Sequence, residues 1–225
     1  MNKHFRTAGF IFSLSLILGF GIWQQRSQAA AQNRQRSHQF TPSASVNDMA
    51  SPALHTTTAA PMATVTVQSL GDGAANAANC PGKNCRLRDA IAAAVSGDTI
   101  DCPFGTITLT NGELVINKNL TINGLYAGSV ISGNSASRIF NVSAGFTLTL
   151  NSLTLTSGSS TSGGAITNAG TLIITGSTLS GNIANGNGGG IANAGSLTLV
   201  NSTLSGNTAS NGSGGGLYNQ GTSTL

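Results

Sequence analysis

The stretches STLSGNIANGNGGGIANAG (177–195) and STLSGNTASNGSGGGLYNQG (202–221) are two copies of one pattern, and neither contains a charge, a histidine or a cysteine. A segment with so little reactive chemistry written twice is a structural repeat, so the interval between copies decides the fold. Working outward, four columns of equivalent positions appear. Leu120, Leu148, Leu172 and Leu197 each open a Leu-x-Ile/Leu pair, completed by Ile122, Leu150, Ile174 and Leu199. Ile131, Leu155, Leu179 and Leu204 form the second column. Ile139, Ile166, Ile191 and Leu217 form the third, each followed two residues later by an asparagine, at Asn141, Asn168, Asn193 and Asn219. Gly145, Gly170, Gly195 and Gly221 close each unit. The period is about 25 residues, with the length variation confined to Gly/Ser-rich gaps.

Three short strands per period, each with one or two inward apolar positions, describe one turn of a coil. Strands of four or five residues rise about 3.3 Å per residue, and the next turn stacks about 4.8 Å above in parallel. Equivalent Leu and Ile side chains then build a core that no single repeat could bury. Asparagine at a fixed position implies an amide ladder at a turn. The expectation is an all-β, single-chain parallel β-helix of about five rungs over 102–225. A β-sandwich would not keep a constant period, the leucine-rich pattern and its helices are absent, and a calcium-binding β-roll needs an aspartate that does not occur after Asp101.

Ahead of the repeats, Leu87, Ala90, Ile91, Ala94 and Val95 fall on one face of a helix, expected over 86–95 with Asn84 as N-cap and Gly97 as stop. An open solenoid end exposes core and unpaired backbone, so 64–101 reads as an N-terminal capping segment with this helix over the end. The last residues, QGTSTL, match the start of a further first strand, and the expectation is that a longer protein continues beyond residue 225.

At the other end, Lys3 and Arg6 precede an uncharged, mostly apolar run from Ala8 to Trp23, followed by Ala29-Ala30-Ala31. That order is a secretory signal peptide over 1–31, and the run is shorter than the ~20 residues that span a bilayer. Removing Lys3, Arg6 and Arg26 from ten basic residues leaves seven against six acidic ones, so most of the formal +4 belongs to the leader. Residues 32–63 are rich in Ser, Thr, Ala, Pro and Gln and read as a flexible linker in which His38 and His55 are solvated. In an exported chain, Cys80 and Cys85 around the turn-forming PGKN are candidates for a disulfide. Cys102 is left over as a small buried hydrophobe at a strand start.

The segment CRLRDAIAAAVSGDTIDCPFGTITLTNGELVINKNLTINGL (85–125) resembles the Cys-Ser-Leu-Arg-Glu-Ala domain of large bacterial surface proteins, with Cys85, Leu87, Arg88, Ala90 and Ile91 matching directly, Arg86 in place of Ser and Asp89 in place of Glu. The repeats resemble the right-handed parallel β-helix that follows it, within the pectin lyase-like group. This resemblance implies right-handed winding, bacterial origin, and secretion or display at the cell surface.

Catalysis needs groups that the repeats lack. Glycosidic hydrolysis uses two carboxylates, and lyase chemistry a base and a cation. From Cys102 onward the only acid is Glu113 and the only basic residues are Lys118 and Arg138; residues 139–225 carry no charge and no histidine. The expectation is no catalytic residue, no cofactor and no metal site in this segment. Glu113 and Lys118 read as a solvated surface pair. The alternative is a polysaccharide-active lyase or hydrolase with its site around Asp98, Asp101 and Glu113 or beyond residue 225. No Trp follows the leader and the net charge is small, so nucleic acid is excluded as a partner. Thr147, Thr149, Thr154 and Thr156 suggest flat rows for an ordered surface such as ice, although threonine is also a good strand former. The function expected is that of an exported structural or adhesin-like rod, with surface glycans or proteins as partners.

Overall fold

The computed structural model describes residues 62–225; the leader, most of the linker and its two histidines lie outside them. The described chain winds as a right-handed parallel β-helix. Every strand pairing is parallel, and each strand is followed one coil later by its own neighbour in the same sheet, a connection that is right-handed in nearly all proteins.

The first face is a seven-stranded sheet made of Thr64–Thr66, Thr99–Cys102, Leu120–Gly124, Thr147–Asn151, Thr171–Thr175, Ser196–Val200 and Thr222–Thr224. The second face stacks Gly105–Thr108, Ser129–Ser132, Thr154–Thr156, Thr178–Ser180 and Thr203–Ser205. The third stacks Leu114–Ile116, Phe140–Val142, Ile166–Asn168, Ile191–Asn193 and Leu217–Asn219. Between the second and third faces the last three coils add a two-residue ribbon, Ser159–Ser160, Ile183–Ala184 and Thr208–Ala209. The fourth ribbon departs from the three strands per coil that the sequence implies. Its residues lie in the Gly/Asn-rich gap, where no apolar period marks a strand.

Alternation of inward apolar and outward polar residues does most of the folding. Leu148, Leu150, Leu172 and Ile174 are wholly buried, while Thr147, Thr149, Thr171 and Thr175 between them face out. Burying one such Leu or Ile is worth about 1.5–3 kcal/mol. Register follows identity: Leu120 lies on Leu148, Leu148 on Leu172, and Leu172 on Leu197, with Ile131, Leu155, Leu179 and Leu204 aligned likewise. A one-residue slip would turn every apolar side chain outward, which is why these columns hold.

The third column is in phase only from its second member. Ile166, Ile191 and Leu217 are paired, but the partner of Ile166 in the coil below is Phe140, not Ile139. The same shift places Val142 under Asn168, so Asn141 lies outside the amide column, and it sets Phe146 below Gly170 in place of Gly145. Ile139 is nonetheless completely buried. It occupies the corner filled by Ala165 and then Gly190 in the coils above, its amide and that of Phe140 both donating to the Ala165 carbonyl. A large side chain in the second coil takes the place of a small one in the third.

The cap also differs in detail. Helix α1 spans Leu87–Ala93 and buries Leu87, Ala90 and Ile91 against the core. Its N-cap is Arg86, whose amide donates to the Asp89 carboxylate, and not Asn84. It ends at Ala94, so Val95 leaves the apolar stripe and is 57% exposed. Asp98 ends it by accepting the amides of Val95 and Ala63. The open edge of the first face is covered by the strand Thr64–Thr66, paired with Thr99–Asp101, so strand and helix share the capping.

Candidate functional site

The polar side chains of the coil sit at its corners and ends, and most of them bind the coil to itself. Asn168 Nδ2 donates to Asn193 Oδ1 at 2.6 Å, and Asn193 Nδ2 donates to Asn219 Oδ1 at 2.6 Å. Asn168 and Asn193 are buried, so each amide must find a partner, and the copy above supplies it. A second buried amide, Asn182, donates from Nδ2 to the Leu155 carbonyl and to Asn207 Oδ1, and accepts the Gly158 amide. The repeated Ser-Gly-Asn at 180–182 and 205–207 carried the signal for this pair, at the same 25-residue spacing as the apolar columns. A third column faces outward on the first face: Asn151 Nδ2 donates to Asn123 Oδ1, and Asn123 Nδ2 to Asp101 Oδ1, each at 3.0 Å.

The charged residues concentrate at the N-terminal end, where two networks lock the cap. Asp89 is fully buried at the start of α1 and accepts the Asn76 amide at 2.7 Å, Asn79 Nδ2 at 2.9 Å and Arg86 Nε at 2.7 Å. Burial alone would push its carboxyl up; the Arg86 guanidinium and the amide donors outweigh that and hold it below the ordinary carboxylate range. In the second network, Arg88 Nε and Nη2 grip the two oxygens of Asp72 at 2.8 and 3.0 Å, a bidentate pair. The same guanidinium donates to the carbonyls of Gly112 and Glu113, while Asp72 accepts the amides of Thr110 and Asn111. Burial again works to raise the Asp72 carboxyl, but Arg88 and the backbone amides hold it at about 2.

Because both carboxyls are depressed in the folded chain, their contribution is complete above the ordinary value of 3.8 and is lost as pH falls through about 2 for Asp72. Acidification is therefore expected to loosen residues 71–95 first. Coils three to five, which contain no carboxylate side chain, should keep their β-sheet signal. Amide exchange measured from pH 5 downward checks this; protection lost uniformly along the chain would contradict it.

The remaining charges behave similarly. Lys118 Nζ donates to the carbonyls of Ile91 and Ala94, at 3.1 and 2.7 Å, fixing the C-terminal end of α1 to the first coil. It forms no pair with Glu113. Glu113 instead binds Arg138 at 2.6 Å and accepts Asn141 Nδ2 at 2.9 Å. Arg138 goes on to the Ser162 and Gly163 carbonyls and the Ser160 hydroxyl, so one guanidinium spans three successive coils. The coil geometry favours a partner one turn away over one five residues along the strand.

Asp98, Asp101 and Glu113 do not converge. Asp98 is buried at the entry to the first face, Asp101 joins the outward asparagine column, and Glu113 precedes the third face. Among the described residues no group of three or more His, Cys, Asp or Glu side chains is placed to hold a metal ion. A cleft of about 430 Å³ lies between α1 and the first coil, lined in part by Arg88, Ile91, Glu113, Val115 and Lys118. Its three charged side chains are already engaged, Arg88 and Lys118 in holding the cap and Glu113 in binding Arg138 and Asn141.

Cys80 and Cys85 are joined by a disulfide that closes the Pro-Gly-Lys-Asn loop just ahead of α1. Cys102 lies at the end of its strand, not the start, and is buried; burial, then the Asp101 charge, push its thiol up to about 12. Compared with known proteins, the chain matches no family model, no curated protein and no solved structure.

Proposed function

We propose that this chain is exported and serves, outside the cell or on its surface, as a structural, adhesin-like β-helix without catalytic activity in the described segment. The observation that carries this reading is the fate of the carboxylates. Asp72, Asp89, Asp98 and Glu113 each hold two or more neighbouring groups of the same chain, and Asp101 ends an asparagine column. General acid or base work requires a carboxyl that is free to exchange a proton with a substrate. The leader-like order of residues 1–31 supports export. The likeness of 85–125 to the Cys-Ser-Leu-Arg-Glu-Ala domain supports bacterial surface display, and the disulfide between Cys80 and Cys85 suits an oxidising compartment. The partners that fit a rod uncharged over residues 139–225 are surface glycans or proteins met through shape and hydrogen bonding.

Two measurements test the reading. Fractionation of cells producing the full chain, with protease shaving of intact cells, should place it at the surface or in the medium; retention in the cytoplasm would refute export. Incubation with a panel of polysaccharides should release neither reducing ends nor unsaturated products. Depolymerisation that disappears in Asp101→Asn would establish the polysaccharide-active alternative instead.

A further inference from the structure

We propose that the outward net of the first face is a binding surface for ordered water, and that its ligand is the ice lattice. From the third coil on, two of the outward columns of this face are formed by Thr147 and Thr149, Thr171 and Ile173, Ser196 and Thr198, then Thr222 and Thr224, each pair in register with the next, while Asn151, Thr175 and Val200 form a third beside them. Two columns therefore run side by side. Their repeat is about 4.8 Å along the coil axis and about 6.6 Å across it, two residue rises of about 3.3 Å. The prism faces of hexagonal ice present oxygen atoms on a rectangular net of comparable dimensions.

The chemistry of the net favours this ligand. Wherever the coil folds its asparagines and arginines inward or into corners, their groups are engaged by the protein, as the Asn168, Asn182 and Arg138 contacts show. The threonines of the first face are different. Among the described residues Thr167, on the third face, is the one threonine whose hydroxyl bonds another protein group. The first-face hydroxyls are left to solvent at fixed intervals. Threonine is stiff at χ1 in a strand, so hydroxyl and methyl are held before any ligand arrives, and little ordering entropy remains to oppose binding. Ile173, between Thr149 and Thr198, interrupts one column: it keeps a methyl on its Cβ but carries an ethyl group where threonine carries its hydroxyl. Neither column carries a charge or an aromatic ring, so nothing organises a competing ionic hydration shell and nothing offers a stacking platform to a sugar.

Ice binding does not depend on surface display, and the location of the protein in the cell does not enter its test. The full chain is examined by nanolitre osmometry for a gap between melting and freezing, and by microscopy for slowed ice recrystallisation. Both activities are expected. They should be lost in the double variant Thr149→Lys with Thr198→Lys, weakened in Thr149→Val, and kept in Val115→Lys, which changes an exposed position of the third face. Far-UV spectra establish that each variant retains the β-helix. A folded wild-type chain that neither shapes ice nor slows recrystallisation would overturn the assignment. So would activity that survives the double lysine variant, or adsorption to crystalline cellulose in place of ice.

Discussion

Replacing Gly195 by alanine is expected to destabilise the β-helix by about 3 kcal/mol or more, as overpacking against groups that cannot move does. The added Cβ would run into the Gly170 carbonyl oxygen and the Ala169 backbone of the coil below. Those atoms cannot withdraw, because the Gly170 carbonyl accepts the Ser196 amide at 2.9 Å and so belongs to the pairing between coils. For a folded unit of this size the loss corresponds to a fall in Tm of roughly 10 °C. Gly145 supplies the comparison. It has a positive φ of 82°, but a Cβ there meets nothing within 4 Å. Its alanine variant should cost only the left-handed backbone penalty, about 1–2 kcal/mol. Thermal melts of the two variants decide the matter: equal losses would mean that Gly195 is retained for backbone freedom and not for the close approach of successive coils.

The second large effect is expected at the cap. Arg88→Met removes the guanidinium that grips Asp72, whose side chain is only 2% exposed, and leaves the Gly112 and Glu113 carbonyls without their donor. Breaking a buried pair from one side strands the other charge, at a cost of about 3 kcal/mol. The loss should be local. Amide exchange should accelerate across residues 71–95 and at Thr110 and Asn111, whose amides the Asp72 carboxylate holds, while coils three to five stay protected. Arg88→Lys, which keeps the charge but not the planar fork, should fall between. Unchanged exchange over 71–95 in Arg88→Met would show that the cap is held by its apolar face alone.

These two sites differ in how far the sequence announces them. Gly195 is legible because its environment is its own copy: a glycine stands at the aligned position of the neighbouring coils, Gly170 and Gly221. The first and second faces were readable for the same reason. The third face misled at the second coil because Ile139 and Phe140 are adjacent and both are buried. Matching by residue type selects the isoleucine, and the asparagine two positions on, Asn141, makes the false phase look consistent. Only the pairing, which puts Phe140 against Ile166 and Val142 against Asn168, separates the two.

The cap lay beyond such reasoning for a different reason. Asp72 meets Arg88 sixteen residues away and Thr110 thirty-eight residues away, separations that belong to no period. The bridge from Glu113 to Arg138 was accessible in principle. Its separation of 25 residues is one coil, as is that from Arg138 to the Gly163 carbonyl. In a solenoid the first partner to consider for a charged side chain is one period along the chain; the neighbour on the same strand comes second. The carboxylates read as a possible catalytic cluster shared a stretch of sequence, but the winding leaves Asp98 at the entry to the first face, turns Asp101 outward on it and carries Glu113 to the start of the third.

The asymmetry of charge along the rod has a consequence for how its length can vary. Ion pairs and the disulfide tie the cap and the first two coils into a unique end, with Arg138 reaching into the third. Above that point the coils recognise each other through uncharged residues at matched positions, Leu, Ile, Asn, Ser and Gly, and Leu148, Leu172 and Leu197 are interchangeable in that role. Excising or duplicating one period there keeps the leucine column and the kind of contact at each junction. The rod is thus extensible in quanta of about 4.8 Å, one per 25 residues, from a start site that can be built only once.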